Sequence, residues 1–297
     1  MQPTHQKRFC VPSYERIGSC IKNKMERLAC TAVFLLIPAC AQSQIKAGSI
    51  VVFQLVDGKF VVAADSRGGN KRGQSDDYCK IVALERDFVF SAAGGAFYDQ
   101  DSPLDPVRSW NAFDDAREAA NSGGIYTNAE GRGNAVADRW AEMEAEKWRN
   151  LYLFHPQTVI DLATKQNGHV ITGVVAVAKE NLISITARSV FFKDGVVSVT
   201  PRTEIGNCGR DPCAFGATTS ISEFISMNTA RAKREQLVAS PEVLKLLGIT
   251  SARIIRIADL AEAYGQSGEI GGPIDAVELY NDGSIRWLQQ KSACAKK

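Results

Sequence analysis

The sequence predicts an α+β fold with antiparallel sheets, organised as a four-layer αββα sandwich. Strand-like and helix-like segments come in separate blocks, in the order strands, helices, strands, helices, strands. Several strand-like segments are apolar throughout, so both faces of a sheet need covering, and two sheets enclosed by helix layers would cover them. With 297 residues, of which 45% are hydrophobic, the chain is long enough to bury such a core.

The first block of strands holds three segments. Ser49 to Leu55 and Lys59 to Ala64 are short apolar runs rich in β-branched residues, and the Asp57-Gly58 turn between them predicts a hairpin. Phe88 to Ser91 is a third strand, followed by the small residues Ala92-Ala93-Gly94-Gly95-Ala96. Polar residues stand at the ends of these strands, where functional side chains are usually found.

The middle of the chain predicts helices and then strands. A short helix is expected over 106–121, and Pro156 should divide a helical pattern over 134–165 into two helices. Strands are then expected over 170–178, 182–188, 189–193 and 196–200.

The remainder of the chain predicts a second helical block and a closing hairpin. Helices are expected over 219–237, 241–247 and 251–264. Apolar runs on either side of Asn281-Asp282-Gly283 predict a second Asp-Gly hairpin over 273–288.

Residues 1–41 predict a targeting segment rather than part of the fold. Basic residues precede an apolar run over 28–37, which is too short to span a bilayer, and Ala39-Cys40-Ala41 fits a signal-peptide cleavage site. We therefore expect an N-terminal extension and signal peptide over 1–41, a single domain over 42–297, and an exported protein that is periplasmic or secreted. Two alternatives stay open, namely lipid attachment at Cys40 and a true start at Met25.

The formal net charge of +2 is unevenly distributed. Residues 1–41 hold six Lys and Arg against two Glu, so residues 42–297 carry a net charge of −2. A domain that binds nucleic acid usually carries a basic patch, and we expect no nucleic-acid partner. A membrane partner is expected only if Cys40 is lipidated.

Two of the eight cysteines predict a disulfide. Cys208 and Cys213 bracket Gly209-Arg210-Asp211-Pro212, a turn that a disulfide can close, and an exported protein meets an oxidising compartment. A zinc site is the alternative, but neither a second close cysteine pair nor a nearby histidine completes four ligands.

Neither a metal nor another cofactor is expected. The three histidines stand apart in the sequence, so each is interpreted as a surface or core residue rather than a ligand or base: His5, His155 and His169.

Motifs at both ends of the predicted domain resemble a known family. In chain order they are Gly48-Ser49, Asp57-Gly58, Val62-Ala63-Ala64-Asp65-Ser66-Arg67, Lys80-Ile81, Ser91-Ala92-Ala93-Gly94-Gly95-Ala96 and the closing hairpin with Gly271-Gly272-Pro273-Ile274-Asp275 before it. Together they resemble a proteasome-type subunit, a member of the N-terminal nucleophile (Ntn) hydrolases. The two matching stretches cover about 70 residues, and the middle of the chain agrees only in its order of elements.

The resemblance implies a catalytic site. In this family a Thr, Ser or Cys is exposed as residue one by self-cleavage after a Gly, and its own α-amino group serves as the general base. Carried over, Ser49 is the nucleophile and Gly48 precedes the bond that is cut. Asp65 and Lys80 form the pair beneath the nucleophile, and the backbone N–H of Gly94 is the oxyanion donor.

The chain departs from the family pattern at two supporting positions. A Gly-Ser-Gly expected before the third helix is at best Gly216-Ala217-Thr218, so its serine is absent unless Thr218 or Ser220 substitutes for it. An Asp-x-x-Ser-Gly expected near the end is Tyr264-Gly265-Gln266-Ser267-Gly268, which keeps Ser267 and loses the acid. Active proteasome subunits also mostly begin with Thr, whereas this position is Ser49.

Two functional hypotheses follow. The first is an exported Ntn hydrolase that acts on a peptide or small amide substrate. The second is a catalytically inactive proteasome-like fold that serves as a binding or assembly module. Because the family stacks helix layers into rings, the resemblance also implies a homo-oligomer.

Overall fold

Two antiparallel sheets that pack face to face form the centre of the described structure. The computed structural model describes residues 44–46, 50–70, 73–76, 78–84, 87–100, 102–122, 124, 126–201, 203–204, 213–216, 272–292 and 294–295. All of them belong to one compact unit, Ser43–Lys297. The predicted α+β class with antiparallel sheets is confirmed.

Sixteen strands and three helices lie in the described ranges. The strands are β1 (Gln44–Lys46), β2 (Ile50–Val56), β3 (Lys59–Ala64), β4 (Gly68–Asn70), β5 (Gly73–Ser75), β6 (Ile81–Leu84), β7 (Phe88–Gly94), β8 (Phe97–Asp99), β9 (Trp110–Asn111), β10 (His169–Lys179), β11 (Leu182–Lys193), β12 (Val196–Val199), β13 (Thr203–Glu204), β14 (Cys213–Gly216), β15 (Asp275–Tyr280) and β16 (Ile285–Gln289). The helices are α1 (Ala112–Asn121), α2 (Ala129–Phe154) and α3 (Pro156–Lys165).

The strands form two large sheets and two small ones. The front sheet has the order β14-β2-β3-β15-β16, and the back sheet has the order β12-β11-β10-β7-β6, with β13 paired to β11. The small sheets are β1-β8-β9 and β4-β5. Because β15 pairs with β3, the closing hairpin lies beside the first hairpin, and both ends of the predicted domain meet in one sheet.

The two Asp-Gly hairpins form as the sequence predicts. Asp57 and Gly58 both have positive φ, at 50° and 72°, which is the backbone that a two-residue hairpin turn requires. The second turn joins β15 to β16 and has Gly283 at φ 85°. Local turn chemistry therefore fixes the register of both hairpins.

Apolar side chains fill the space between the sheets. The front sheet contributes Phe53, Phe60 and Leu279 to this core, and the back sheet contributes residues such as Val89 and Val174. Alternate residues of β7 point the other way, so Phe88 and Phe90 pack into a second core with the helices. Strand β7 is buried along its whole length because it lies between these two cores.

The helices cover the outer face of the back sheet. Trp140 and Trp148 of α2 are completely buried in the second core. A Cβ atom at Gly173 would lie 2.5 Å from the Trp140 ring, so a glycine in β10 is needed for this close approach. Pro156 begins α3 directly after α2 ends, which confirms the predicted division of the long helical pattern.

Three element boundaries differ from the predictions. The helix expected from 106 begins at Ala112, because residues 102–109 form turns and Asn111 caps the helix by accepting from Phe113 N at 2.9 Å. The helix expected from 134 begins at Ala129, where Asn128 is the cap. The two strands expected over 182–193 are one continuous strand, β11, paired along its length with β10. The helices predicted over 219–264 lie outside the described residues.

The second face of the front sheet is also buried. Ile50, Val52, Val61, Ala63 and Ala276 all have 0% exposure, although they alternate with the residues of the inter-sheet core. No helix in the described part of the chain is long and apolar enough to cross a membrane.

Candidate active site

A buried ion pair lies at one end of the front sheet. Asp65 directly follows β3, and Lys80 directly precedes β6. Lys80 Nζ lies 2.9 Å from Asp65 Oδ1, and the side chains are 1% and 0% exposed, respectively. The structure therefore brings together the two residues that the sequence predicted as a pair.

The backbone holds the Asp65 carboxylate in place. Ile50 N–H donates to Asp65 Oδ1 at 2.9 Å, and Arg67 N–H donates to Asp65 Oδ2 at 3.2 Å. Asp65 N–H in turn donates to the Ile50 carbonyl at 3.3 Å. Asp65 thus both accepts a hydrogen bond from Ile50 and donates one to it. Ile50 is the first residue of β2 and the residue after Ser49.

Lys80 is held in an environment that disfavours its charge. Its ammonium donates to Asp65 and to the Arg67 carbonyl. Burial lowers the pKa of Lys80 below its usual value, and the opposing attraction of Asp65 does not cancel this effect. A buried lysine whose pKa is lowered by burial and that pairs with a specific charge is a candidate functional group.

The segments around the pair are fastened by further polar contacts. Arg67 clamps Asp76 with two hydrogen bonds, 2.8 Å from Nε and 3.1 Å from Nη2, and this contact lowers the pKa of Asp76. Ser91 Oγ donates to the Lys80 carbonyl at 2.7 Å. Ser66 Oγ donates to the Pro273 carbonyl, which joins the site to the approach of β15.

Gly94 ends β7, three residues beyond Ser91. Its φ of 110° lies in a region that other residues avoid, and a Cβ atom there would lie 2.6 Å from the Val170 carbonyl oxygen. Position 94 therefore requires glycine for two independent reasons. Gly95 N–H donates to the Val170 carbonyl at 2.9 Å and fixes the backbone turn that follows.

A cleft opens beside residues 78–80, which we call the Lys80 segment. Its volume is about 810 Å³, which is within the range of small-molecule sites. Aromatic side chains and the residue before Lys80 line it, including Tyr78, Cys79, Phe97 and Trp110. A smaller cavity of about 560 Å³ shares Ser109, Trp110, Asn111 and Asp114 with this cleft and is also lined by Asp115 and Lys147.

A second lysine–aspartate pair lies beside the first, and the sequence did not predict it. Lys291 Nζ lies 3.1 Å from Asp275 Oδ2, and Lys291 N–H donates to Asp275 Oδ1 at 2.8 Å. Asp275 faces Ala64, the residue before Asp65, in the β3–β15 pairing. Asp275 belongs to a motif of the family resemblance, whereas no feature of the sequence singles out Lys291.

The structure pairs two cysteines that the sequence left unassigned. Cys79 and Cys294 form a disulfide across 215 residues, with 5.6 Å between their Cα atoms. Cys213 is disulfide-bonded as well. Cys208 lies outside the described residues, so the Cys208–Cys213 disulfide stays a prediction.

The predicted catalytic residues Ser49 and Ser267 and the predicted self-cleavage residue Gly48 lie outside the described residues. The other predicted catalytic residues, Asp65, Lys80 and Gly94, lie within them.

Among the described residues, no group of His, Cys, Asp and Glu is arranged to hold a metal ion. His155 does have an acidic neighbour, because its Nε2 lies 3.0 Å from Asp105 Oδ1 and Tyr98 Oη donates to the other oxygen at 2.6 Å. His169 is partly buried, which lowers its pKa.

No protein-family model matches the chain, and no curated protein matches its sequence significantly.

Proposed function

We propose that this protein is an N-terminal nucleophile hydrolase that uses Ser49 to cleave amide bonds in peptides or small amides. The observation that carries the proposal is the 2.9 Å hydrogen bond from Ile50 N–H to Asp65 Oδ1. Ser49 is bonded to Ile50, and the Cα atoms of consecutive residues are about 3.8 Å apart. The hydrogen bond supports the proposal because it joins the residue after the proposed nucleophile to the carboxylate of the buried Asp65–Lys80 pair.

Self-cleavage is the first step of the proposed chemistry. Ser49 Oγ adds to the Gly48 carbonyl, the Gly48–Ser49 C–N bond breaks, and the Gly48 acyl group moves to Oγ as an ester. Water then hydrolyses the ester, which leaves Gly48 as a carboxylate and Ser49 with a hydroxyl and a primary amine. The bond must be cut because an amide nitrogen has no basic lone pair with which to accept the hydroxyl proton.

Substrate hydrolysis follows from the new N-terminus. The Ser49 amine accepts the hydroxyl proton while Oγ attacks the substrate carbonyl, and the substrate C–N bond breaks as the leaving amine takes that proton. Water then hydrolyses the acyl ester on Ser49, which releases the carboxylate product and restores the hydroxyl. Lys80 lowers the proton affinity of the Ser49 amine and hydroxyl through like-charge repulsion, and Asp65 keeps Lys80 in position. The backbone N–H of Gly94 is the proposed oxyanion donor, and Ser267 is a proposed supporting hydroxyl.

The four-layer sandwich is the proposed architecture. Its support is the burial of the second face of the front sheet, where Ile50, Val52 and Val61 have 0% exposure. A buried apolar face needs a covering layer. We propose that the helices predicted over 219–264 supply it.

An extended peptide is the proposed form of substrate. The cleft of about 810 Å³ gives it room beside the Lys80 segment. Strand β1, which ends two residues before Gly48, pairs antiparallel with β8, so the segment ahead of the proposed cleavage point is itself held as an extended peptide. Export to an oxidising compartment is part of the proposal, and the Cys79–Cys294 disulfide is compatible with it.

Covalent labelling tests the proposal. We expect a β-lactone probe to acylate Ser49 of the mature protein, as mapped by peptide mass spectrometry, and Ser49→Ala to abolish the label. Ser284→Ala, which alters an exposed serine in the closing hairpin, is the matched control and should keep it. A mature protein that takes no label and hydrolyses no amide would instead support a binding or assembly module on the same fold.

A further inference from the structure

Lys291 and Cys294, which follow β16 in the chain, contact the Lys80 segment. Lys291 Nζ donates to the Tyr78 carbonyl, and Cys294 is bonded to Cys79. Two consecutive residues, Tyr78 and Cys79, are thus fastened directly before Lys80. We call Lys291 and Cys294 the C-terminal clamp.

The clamp is itself anchored to the front sheet. Lys291 binds Asp275 through both its ammonium, at 3.1 Å, and its backbone N–H, at 2.8 Å. Cys294 N–H donates to the Lys291 carbonyl at 2.9 Å, which closes a turn between the two clamp residues. Asp275 begins β15, whose partner β3 leads into Asp65. The clamp therefore connects the strand of Asp65 to the segment of Lys80.

The Lys80 segment has little regular structure to position it. Residues 78–80 lie between β5 and β6 in irregular backbone, and the Tyr78 N–H donates to the Ser66 carbonyl at 3.2 Å. An irregular segment opens more readily than a strand in the middle of a sheet. Lys80 itself is held by Asp65, the Arg67 carbonyl and Ser91 Oγ. The two residues before it are held by the contacts at Tyr78 and Cys79.

We propose that the C-terminal clamp is a positioning device for Lys80, and that opening the Cys79–Cys294 disulfide with a dithiol releases Lys80 from the site. Lys291 is a positioning residue in this proposal, because it acts through the Lys80 segment. The link between the clamp and catalysis rests on the proposed function of the Asp65–Lys80 pair. The expected release of Lys80 on reduction does not depend on that function.

The release step is an ordinary thiol–disulfide exchange. A thiolate of the dithiol attacks one sulfur of the Cys79–Cys294 bond, which breaks as a mixed disulfide forms, and the second thiol of the reductant then displaces it. Two electrons and two protons pass from the dithiol to Cys79 and Cys294, and the dithiol becomes a disulfide. Cys79 lines the open cleft, which gives a reductant access to the bond, whereas Cys294 is only 8% exposed.

The reduced state also weakens the anchor. Cys294 Sγ lies 3.6 Å from Asp275 Oδ2, the oxygen that Lys291 binds. Once reduced, the thiol can donate to that oxygen as a further hydrogen-bond donor beside Lys291. Reduction therefore removes the covalent half of the clamp and changes the surroundings of its other half.

Amide hydrogen exchange tests whether reduction of the disulfide releases the Lys80 segment. We expect the amides of 78–81 to exchange at least tenfold faster in the mature Cys79→Ser/Cys294→Ser protein, and in wild type reduced with dithiothreitol. The amides of β10, over 171–177, should change less than twofold. Cys213→Ser, which removes another disulfide-bonded cysteine, is the control and should leave 78–81 unchanged.

A uniform change would overturn the proposal. If 78–81 and β10 speed up by the same factor, the disulfide stabilises the whole fold and does not position Lys80. If neither changes, the clamp has no role. The comparison with β10 separates local release from global destabilisation.

Lys291 variants keep the proposal testable if the cysteine variant fails to fold. Lys291→Met removes the ammonium that binds the Tyr78 carbonyl and Asp275, so the amides of 78–81 should exchange faster in this variant relative to those of β10. Lys291→Arg keeps a charged donor and should leave the exchange of 78–81 as in wild type. Equal exchange of 78–81 in wild type and Lys291→Met would contradict the proposal.

Hydrolytic activity separates this proposal from the proposed function. If wild type is inactive but the exchange of 78–81 changes as expected in the cysteine and Lys291 variants, the hydrolase proposal fails and the clamp stands. If wild type is active and the cysteine variant equally so, with 78–81 unchanged, the clamp fails and the hydrolase proposal stands. An active enzyme should also show a shifted pH profile in Lys291→Met that Lys291→Arg does not share.

Discussion

Lys80 Nζ and Asp65 Oδ1 lie 2.9 Å apart, and neither side chain is more than 1% exposed. Breaking a buried pair by removing one partner leaves an uncompensated charge away from water. We expect Asp65→Asn to reduce the free energy of unfolding by about 3–5 kcal/mol, measured by urea denaturation at pH 7.

Two comparisons make this prediction specific. The double variant Asp65→Asn/Lys80→Met removes both charges and should recover most of the lost stability, whereas simple additivity would make it worse. Asp114→Asn breaks the exposed Arg117–Asp114 pair, whose side chains are 31% and 65% exposed, and should cost less than about 1 kcal/mol. Equal losses for Asp65→Asn and Asp114→Asn would mean that the buried pair carries no special cost.

Gly94 should not tolerate a side chain. Gly94→Ala meets both an unfavourable φ of 110° and a contact of 2.6 Å with the Val170 oxygen. We expect a loss of about 1–3 kcal/mol or more in the free energy of unfolding. Gly133→Ala is the matched control in α2, because a Cβ there has no neighbour closer than 3.6 Å and alanine favours helix. A Gly94→Ala protein as stable as Gly133→Ala would contradict the observed backbone.

Glu144 should make the fold less stable as pH rises. Its side chain is completely buried, and burial, followed by the neighbouring Asp115 carboxyl, raises its pKa well above the usual value despite the opposing charge of Lys147. The folded state then holds a proton that the unfolded state releases above its pKa of about 4.3. Stability therefore falls from about pH 4.3 up to the folded pKa, by at most about 1.4 kcal/mol per pH unit.

Glu144→Gln should remove this pH dependence. The amide stays neutral and can donate to Asp115 as the protonated acid would. The difference in unfolding free energy between variant and wild type should therefore grow in favour of the variant from pH 4.5 to pH 8. Glu146→Gln, at an exposed position of the same helix, should show no such trend. Parallel pH curves for wild type and Glu144→Gln would rule out the raised pKa.

Local patterns were the best guide to the fold. The Asp57-Gly58 turn predicted its hairpin because a two-residue turn is specified by its own backbone requirements. Pro156 predicted the end of α2 because proline cannot continue a helix that precedes it. The start of α1 was wrong by six residues, since the helical pattern over 106–111 gives way to turns and the Asn111 cap.

Long-range pairings were harder to predict. Local spacing pointed to Cys208–Cys213, but no local signal joins Cys79 to Cys294 across 215 residues. The pair Asp65 and Lys80 came from a family resemblance, and the structure brings them to 2.9 Å. Lys291 could not be recognised because its role depends on the C-terminal turn that returns to Asp275.

The N-terminus of the mature protein tests the central claim most directly. Intact mass and N-terminal sequencing of the exported wild type should give a chain that starts at Ser49. The Ser49→Ala protein should start at Gln42, heavier by residues 42–48, because it has no hydroxyl to attack the Gly48 carbonyl. A wild-type protein that starts at Gln42 and is not acylated at Ser49 by the β-lactone would contradict the account.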